Sequence, residues 1–172
     1  MRIIPALLLI GVAIAAPAWA QPLKKPNASG PYVYIIDERN EIVDGPVRNN
    51  VIPLWPVRSC FGWTVAVPGT VRSVKILEVQ QAPGSTRFEV GPETKVNPQS
   101  DRTERRLEAV SYNNQVSSAW CVNDADPPGL YQFDIYVDGR LMGQFMFCAV
   151  KFPEGQEIKL DQLQCPNKLN SS

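Results

Sequence analysis

The residues best suited to chemistry are four cysteines, and their spacing favours disulfide formation over metal binding. A metal site needs thiolates or imidazoles in closely spaced groups, whereas the cysteines are separated by 61, 27 and 17 residues and the chain contains no His. In an exported chain, an oxidising compartment allows cysteines to pair. The sequence therefore predicts two disulfides and no metal or other cofactor, with Cys60, Cys121, Cys148 and Cys165 as the bonded residues.

No constellation of residues indicates a catalytic site. The strongest carboxylate pair is Asp124 with Asp126, but it lies in a Pro-rich turn, where Asp side chains commonly bond local backbone. Asp134 has no evident partner. Serine catalysis would lack His as its base, and paired cysteines cannot serve as nucleophiles. We therefore expect a protein that is not an enzyme.

The first 20 residues predict a cleaved signal peptide. Arg2 precedes an apolar run from Ile3 to Ala16, and Ala18-Trp19-Ala20 forms an Ala-x-Ala cleavage signal. Because the run is too short to span a bilayer comfortably, we expect cleavage that leaves no transmembrane segment, rather than a retained anchor. Residues 21–31 predict a flexible lead-in. The predicted location is periplasmic or extracellular.

Size and charge narrow the class of partner. Removing 20 of 172 residues leaves 152, enough for one domain with a single core. Without Arg2 the chain has 16 basic and 17 acidic residues, so its net charge is about −1. This balance argues against nucleic acid or an anionic membrane as a partner. The mixed-sign cluster at 101–106 fits a solvated loop or strand edge.

Short strands separated by turn signals fill the body of the chain. Alternation is clear at 60–67, where a core face is predicted from Phe61, Trp63, Val65 and Val67. The Pro-rich stretch 41–59 predicts a long irregular connection, and residues 154–164 predict one or two helical turns. Further strands are predicted at 32–36, 71–79, 86–90, 107–112 and 116–122.

Residues 126–147, DPPGLYQFDIYVDGRLMGQFMF, predict a β-hairpin. Asp138-Gly139 suits a type I′ turn, because both residues can adopt positive φ. A slip of one residue in the pairing would turn the apolar face to water, so the pattern predicts architecture rather than chemistry. The predicted inner face consists of Tyr131, Phe133, Ile135, Val137, Leu141, Gly143, Phe145 and Phe147.

The start of this hairpin resembles the Asp-x-Gly-x-Tyr corner of immunoglobulin-like β-sandwiches, here Asp126, Gly129 and Tyr131. The resemblance implies a structural corner in which the Tyr131 hydroxyl bonds nearby backbone. Phe133 replaces the second core Cys of antibody domains, and Trp63 lies too close to Cys60, so an antibody-type domain is excluded.

Across residues 32–150 the chain is similar to uncharacterised exported bacterial proteins with an immunoglobulin-like β-sandwich domain. An aromatic-Gly-aromatic second strand and a Pro-Gly-x-aromatic entry to the last hairpin carry this resemblance. It implies an all-β, antiparallel sandwich of about seven strands, followed by a short C-terminal tail or helical turn at 151–172.

That topology also implies a disulfide pairing. The start of the second strand and the ends of the fifth and seventh strands share one pole, where Cys60, Cys121 and Cys148 would fall. Cys165 would fold back to join them. We prefer Cys60–Cys121 with Cys148–Cys165, which ties the tail to the sandwich, while Cys60–Cys148 with Cys121–Cys165 stays open.

These features predict a non-catalytic envelope module that binds a protein or glycan, or acts as an adaptor, through its loops or a sheet edge. The candidate surface contacts are Trp55, Tyr112 and Trp120, residue types that are more often core. One alternative is a structural subunit of a pilus-like assembly, against which the polar segment 21–31 argues. The other is an inhibitor of an envelope enzyme.

Overall fold

The computed structural model describes residues 29–56, 58–84, 94–96, 101–153 and 156–166, which form a sandwich of two sheets. One sheet has the strand order β2-β1-β4-β8 and the other has the order β3-β10-β9-β5-β7-β6. This arrangement confirms the all-β, immunoglobulin-like sandwich. The strands are β1 Gly30–Ile36, β2 Ile42–Val47, β3 Val51–Pro53, β4 Ser59–Ala66, β5 Ser73–Gln81, β6 Thr94–Val96, β7 Arg102–Val110, β8 Gln115–Cys121, β9 Gly129–Val137 and β10 Arg140–Val150.

The structure departs from the predicted strands where prolines occur. The stretch 41–59, predicted as irregular, contains β2, β3 and the start of β4. Both extra strands lie at sheet edges, and β3 pairs in parallel with β10 over three residues. A proline cannot donate a hydrogen bond to a neighbouring strand, but an edge strand needs its donors on one side only. Pro46 and Pro53 are therefore compatible with strands here.

Other boundaries also differ. Gly30 and Pro31, predicted as lead-in, begin β1. The cluster 101–106, predicted as a solvated loop or strand edge, falls mostly within β7, between β5 and β6. The helical turns predicted at 154–164 are represented by one 3-10 turn, Leu160–Gln162. The predicted signal peptide, residues 21–28 of the lead-in and the strand predicted at 86–90 lie outside the described residues.

The closing hairpin forms as predicted, with one change of register. Asp138 and Gly139 have φ of 49° and 79°, as a type I′ turn requires. The pairing of β9 with β10 then shifts between Leu141 and Gly143. This bulge inserts one residue and moves Leu141 to the outer face, where it is 48% exposed. The prediction that Leu141 faces inward is therefore wrong.

The core lies between the sheets and is centred on aromatic rings. Phe61, Phe133 and Phe147 come from β4, β9 and β10, and their ring centroids are 5.1–5.9 Å apart. The inward face predicted for 60–67 is confirmed, because all four of its side chains are buried. Each buried side chain of this size contributes about 1.5–3 kcal/mol.

On the outer face of the four-stranded sheet, Tyr32 crosses β4 to reach β8. Its hydroxyl donates to the carbonyl oxygen of Ser118 at 3.1 Å, and its ring passes close to Gly62. Tyr34 stacks beside it with a centroid separation of 6.1 Å. A Cβ at position 62 would lie 2.3 Å from the Ser118 oxygen and 2.7 Å from the Tyr32 ring. Glycine is thus required for this packing.

Two disulfides join elements at one end of the sandwich. Cys60 is bonded to Cys121 across the neighbouring strands β4 and β8, and Cys148 is bonded to Cys165. This is the preferred pairing of the sequence analysis. Asn49 adds a second attachment for the C-terminal tail, since its Nδ2 donates to the carbonyl oxygens of Leu160 and Leu163 at 2.5 and 3.1 Å.

Replacing Gly62 with Ala should destabilise the fold by about 1–3 kcal/mol, because the added methyl group displaces Tyr32 or the β8 backbone. Chemical denaturation of the variant measures this loss. Ala66→Val is the matched control, since it adds carbon atoms at an exposed position of the same strand and should change stability by less than about 0.5 kcal/mol. Equal stability of Gly62→Ala and wild type would contradict the packing of Tyr32.

Candidate functional site

The two ends of the sandwich differ, and we name each end after its main structural feature. The disulfide pole holds Cys60, Cys121 and Cys148, together with the start of β9. The hairpin pole holds three connections: residues 67–72 between β4 and β5, residues 111–114 between β7 and β8, and the turn at 138–139. Binding sites of sandwich domains commonly use such clustered loops.

Backbone hydrogen bonds fix the three connections of the hairpin pole to one another. The Val67 amide donates to the Asn114 carbonyl oxygen at 2.7 Å, and the Ser111 amide donates to that of Arg72 at 2.8 Å. The Asp138 amide donates to the Lys75 carbonyl oxygen at 2.8 Å. The hairpin pole is consequently a single positioned surface rather than three independent loops.

An ion pair adds to this fixation. Arg72 Nη1 lies 2.7 Å from Asp138 Oδ2, and Asp138 Oδ1 accepts the Lys75 amide at 3.0 Å. The Lys75 amide, followed by the Arg72 guanidinium, lowers the pKa of the Asp138 carboxyl. Arg140 follows in the same hairpin and makes no ion pair with a described residue. Among the described residues, Arg72 is thus engaged in an ion pair and Arg140 is not.

Exposed apolar side chains concentrate at the hairpin pole. Among the described residues, eight large hydrophobic side chains are exposed, and five of them lie here. The other three are Val43, Leu130 and Met146. Exposed apolar side chains that cluster, rather than scatter, mark interaction surfaces. The five are Val71, Val110, Tyr112, Leu141 and Met142, with exposures of 65%, 64%, 64%, 48% and 38%.

A groove of about 530 Å³ runs across this pole between the β4–β5 connection and the closing hairpin. Its walls combine apolar groups with both arginines, so it could receive apolar and acidic groups together. The lining residues are Val67, Pro68, Arg72, Val137, Asp138, Arg140 and Met142.

The three aromatic residues predicted as surface contacts lie in different places. Tyr112 is exposed at the hairpin pole. Trp55 is half-buried and packs against the main core beside the disulfide pole. Trp120 also packs against the core from β8. The structure therefore separates Tyr112 from Trp55 and Trp120, which both pack against the core near the disulfide pole.

A buried carboxylate that sequence reasoning missed lies between the sheets. Glu78 on β5 is 1% exposed, and its Oε2 accepts the Trp63 indole N–H at 3.0 Å. Its Oε1 accepts the Trp120 indole N–H at 2.5 Å. Burial raises the pKa of Glu78, while the two indoles and Arg105 oppose that rise. We call these four residues, Trp63, Glu78, Arg105 and Trp120, the Glu78 cluster.

Arg105 closes the Glu78 cluster on the side of β7. Its guanidinium carbon lies 4.4 Å from the centroid of a Trp120 ring, which is a cation–π distance. Arg105 is also paired with Glu78 in the register of β5 and β7. The signal available in the sequence was the alternation of Val74, Ile76 and Glu78, which share the inner face of β5.

The predicted corner residues and carboxylates contact local groups. The Tyr131 hydroxyl donates to the Pro127 carbonyl oxygen at 2.9 Å, as the resemblance implied. Asp126 accepts the Asn123 amide at 2.9 Å, and Asp134 accepts the side-chain amides of Gln132 and Gln144 at 3.1 Å. A Cβ at Gly129, whose φ is 144°, would lie 2.5 Å from Pro83.

Within the described ranges, Cys, Asp and Glu side chains nowhere form a group of three or more that could hold a metal ion. The described residues also include no helix with the length and apolar character needed to cross a bilayer.

Comparisons with known proteins place the chain beside a family and a solved structure. Residues 32–150 match the family model described as PM0630 beta sandwich domain. The chain is also similar to the crystal structure of an immunoglobulin-like protein from Pseudomonas aeruginosa, with 14% identity and a TM-score of 0.39, over 78% of this chain and 100% of that one. No curated protein matches the chain.

The raised pKa of Glu78 predicts a stability difference that depends on pH. In Glu78→Gln, the side-chain NH₂ group would face an indole N–H, so one donor would lack an acceptor. This unpaired donor should lower the free energy of unfolding by about 1–3 kcal/mol near pH 4.5. Above the ordinary pKa of 4.5, the native protein binds more protons at Glu78 than the unfolded chain does. The advantage of wild type over the variant should therefore shrink as pH rises.

Denaturation of both proteins at a series of pH values measures this change. Asp138→Asn is the control of opposite sign: because the pKa of Asp138 is lowered, wild type should lose stability relative to that variant as pH falls below about 3.8. A wild-type advantage over Glu78→Gln that grows with pH would contradict the buried, desolvated carboxyl.

Proposed function

Since the chain belongs to the PM0630 beta sandwich domain family, we propose that it is a non-catalytic binding module of the cell envelope that holds a protein partner at its hairpin pole. The observation that carries this proposal is that five exposed apolar side chains lie at the hairpin pole, where one of them, Met142, lines a groove. Such a grouping on a rigid scaffold is typical of an interaction surface.

Export is supported by the sequence and by the disulfides. Residues 1–20 have the charged start, apolar run and Ala-x-Ala ending of a signal peptide. The two bonds, Cys60–Cys121 and Cys148–Cys165, are of a kind that persists in oxidising compartments. A net charge close to zero fits a partner that is held by short-range contacts.

The chemistry of the hairpin pole favours a protein over a glycan. Glycan sites generally stack sugar rings on aromatic faces, and Tyr112 is the one aromatic residue among the exposed apolar side chains of this pole. Aliphatic and thioether groups, such as those of Val71 and Met142, instead suit apolar side chains of a protein. Arg140 would pair with a carboxylate of that partner. The expected epitope is therefore apolar with an acidic residue at its rim.

A non-catalytic role is supported by the behaviour of the candidate carboxylates. Asp126 holds a backbone amide of its own turn, and Asp134 is held by two glutamines. Glu78 is enclosed between two indoles. Each of these groups is used by the fold.

The structural-subunit alternative has one feature in its favour. No described strand pairs with the outer edge of β10 from Arg140 to Phe147, and an incoming strand could bind there. The bulge between Leu141 and Gly143 interrupts this edge, and bulges discourage edge-to-edge pairing. We therefore favour the binding module.

Size-exclusion chromatography separates the two functions. The binding module should elute as one species of constant size across a hundredfold range of concentration. A strand-adding subunit should form larger species as concentration rises. Concentration-dependent polymers would overturn the preference stated here.

A crosslinking pulldown from envelope fractions tests the hairpin pole. The double variant Val71→Ser/Tyr112→Ser should bind the captured partner at least about tenfold more weakly than wild type, because truncation of anchor side chains commonly costs 1.4 kcal/mol or more. Val43→Ser is the matched control, since Val43 is 57% exposed on β2, away from this pole. Capture that is lost equally in the control, or retained in the double variant, would contradict the proposed surface.

A further inference from the structure

Two rows of side chains cross β9, β5 and β7 on the outer face of the six-stranded sheet. Outward residues are two positions apart along a strand, and residues paired between strands lie side by side. The carboxylate row consists of Asp134, Val79 and Glu104. The donor row beside it consists of Tyr136, Leu77 and Arg106. Both rows face outwards because the residues between them, Ile135, Glu78 and Arg105, face inwards.

The two rows complement each other on each strand. On β9 the carboxylate of Asp134 neighbours the phenol of Tyr136. On β7 the carboxylate of Glu104 neighbours the guanidinium of Arg106. The central strand β5 contributes one aliphatic side chain to each row. A two-fold rotation about an axis that lies in the face, midway between the rows, would therefore set the carboxylate row of one copy against the donor row of another.

The polar groups of both rows retain bonding capacity that a second copy could use. The Tyr136 hydroxyl makes no hydrogen bond with a described residue. Asp134 Oδ1 accepts two glutamine amides, while its Oδ2 has no partner among the described residues. Arg106 Nη2 lies 3.2 Å from Glu104 Oε2, and these two side chains are 59% and 36% exposed. These groups can therefore bond across an interface.

We propose that this face is the interface of a symmetric dimer, in which the carboxylate row of each copy packs on the donor row of the other. The Tyr136 hydroxyl of one copy would donate to Asp134 Oδ2 of the other. Arg106 would pair with Glu104 in the same way. The aliphatic side chains of β5 would form the apolar centre between these contacts. Each contact occurs twice, as a two-fold axis requires.

A second copy fits this face better than an unrelated partner does, because the face is complementary to itself on all three strands. An interface of this kind is closed, so it gives a dimer and no polymer. The dimer would therefore elute as one species, as expected for the binding module. The inference does not depend on the function proposed for the hairpin pole, whose three connections lie at the end of the sandwich.

Sedimentation equilibrium of the exported protein tests the dimer. At micromolar concentrations wild type should have twice the mass of one chain. Arg106→Glu should weaken dimerisation at least tenfold, because it places like charges at both symmetric contacts, and Glu104→Arg should do the same. A monomeric wild type, or an unchanged dimer in both variants, would overturn the proposal.

The matched control is Arg39→Glu. Arg39 is also an exposed arginine that pairs with a neighbouring carboxylate, that of Asp37, but it lies in the turn between β1 and β2. This variant should remain a dimer. Its conversion to a monomer would show that charge reversal acts without the two rows, and would overturn the proposed interface.

Mixing the two β7 variants separates lost contacts from lost folding. In a dimer with one copy of Arg106→Glu and one of Glu104→Arg, each substituted side chain faces an opposite charge, so the mixture should dimerise again. Tyr136→Phe keeps all charges and should still weaken dimerisation at least tenfold, because two hydrogen bonds to carboxylates are lost. Failure of the mixture to dimerise, or an unweakened Tyr136→Phe dimer, would contradict the pairing of the rows.

Discussion

The constraint on which the sandwich depends is the need to satisfy one buried carboxylate. Glu78 belongs to the six-stranded sheet, and both indoles that donate to it, from Trp63 and Trp120, belong to the four-stranded sheet. A buried carboxylate without donors would cost several kcal/mol. The sheets must therefore align so that β4 and β8 present both indoles to β5. Apolar contacts alone are less directional and would tolerate more sliding.

This alignment determines what each end of the molecule offers. The pairing of β4 with β8 brings Cys60 and Cys121 together at one pole. With both strands fixed over β5, the three connections of the hairpin pole meet at the other. The inner faces use large aromatic side chains, among them Phe61, Phe133 and Phe147. Recognition is consequently left to the ends, where loops carry exposed apolar groups over a rigid base.

Much of the fold could be predicted from the sequence because its strongest signals are local. Asp138-Gly139 specifies a hairpin turn, and the alternation around Trp63 specifies a half-buried strand. Edge strands β2 and β3 could not be predicted, because Pro46 and Pro53 argue against strands unless their edge position is known. Leu141 was misplaced because a bulge leaves no mark in the alternation.

The candidate sites depend on contacts between distant residues, and sequence reasoning recovered little of them. Tyr112 was singled out as an aromatic residue, but its grouping with Val71 and Met142 requires the tertiary fold. Glu78 and Gln80 occupy inward positions on β5, yet their polarity makes an outward orientation the natural prediction.

The measurement that tests the central claim most directly is a double-mutant cycle between Glu78→Leu and Trp120→Phe, with stability as the readout. The account predicts a coupling energy of about 1.5–3 kcal/mol, and additive effects of the two substitutions would contradict it.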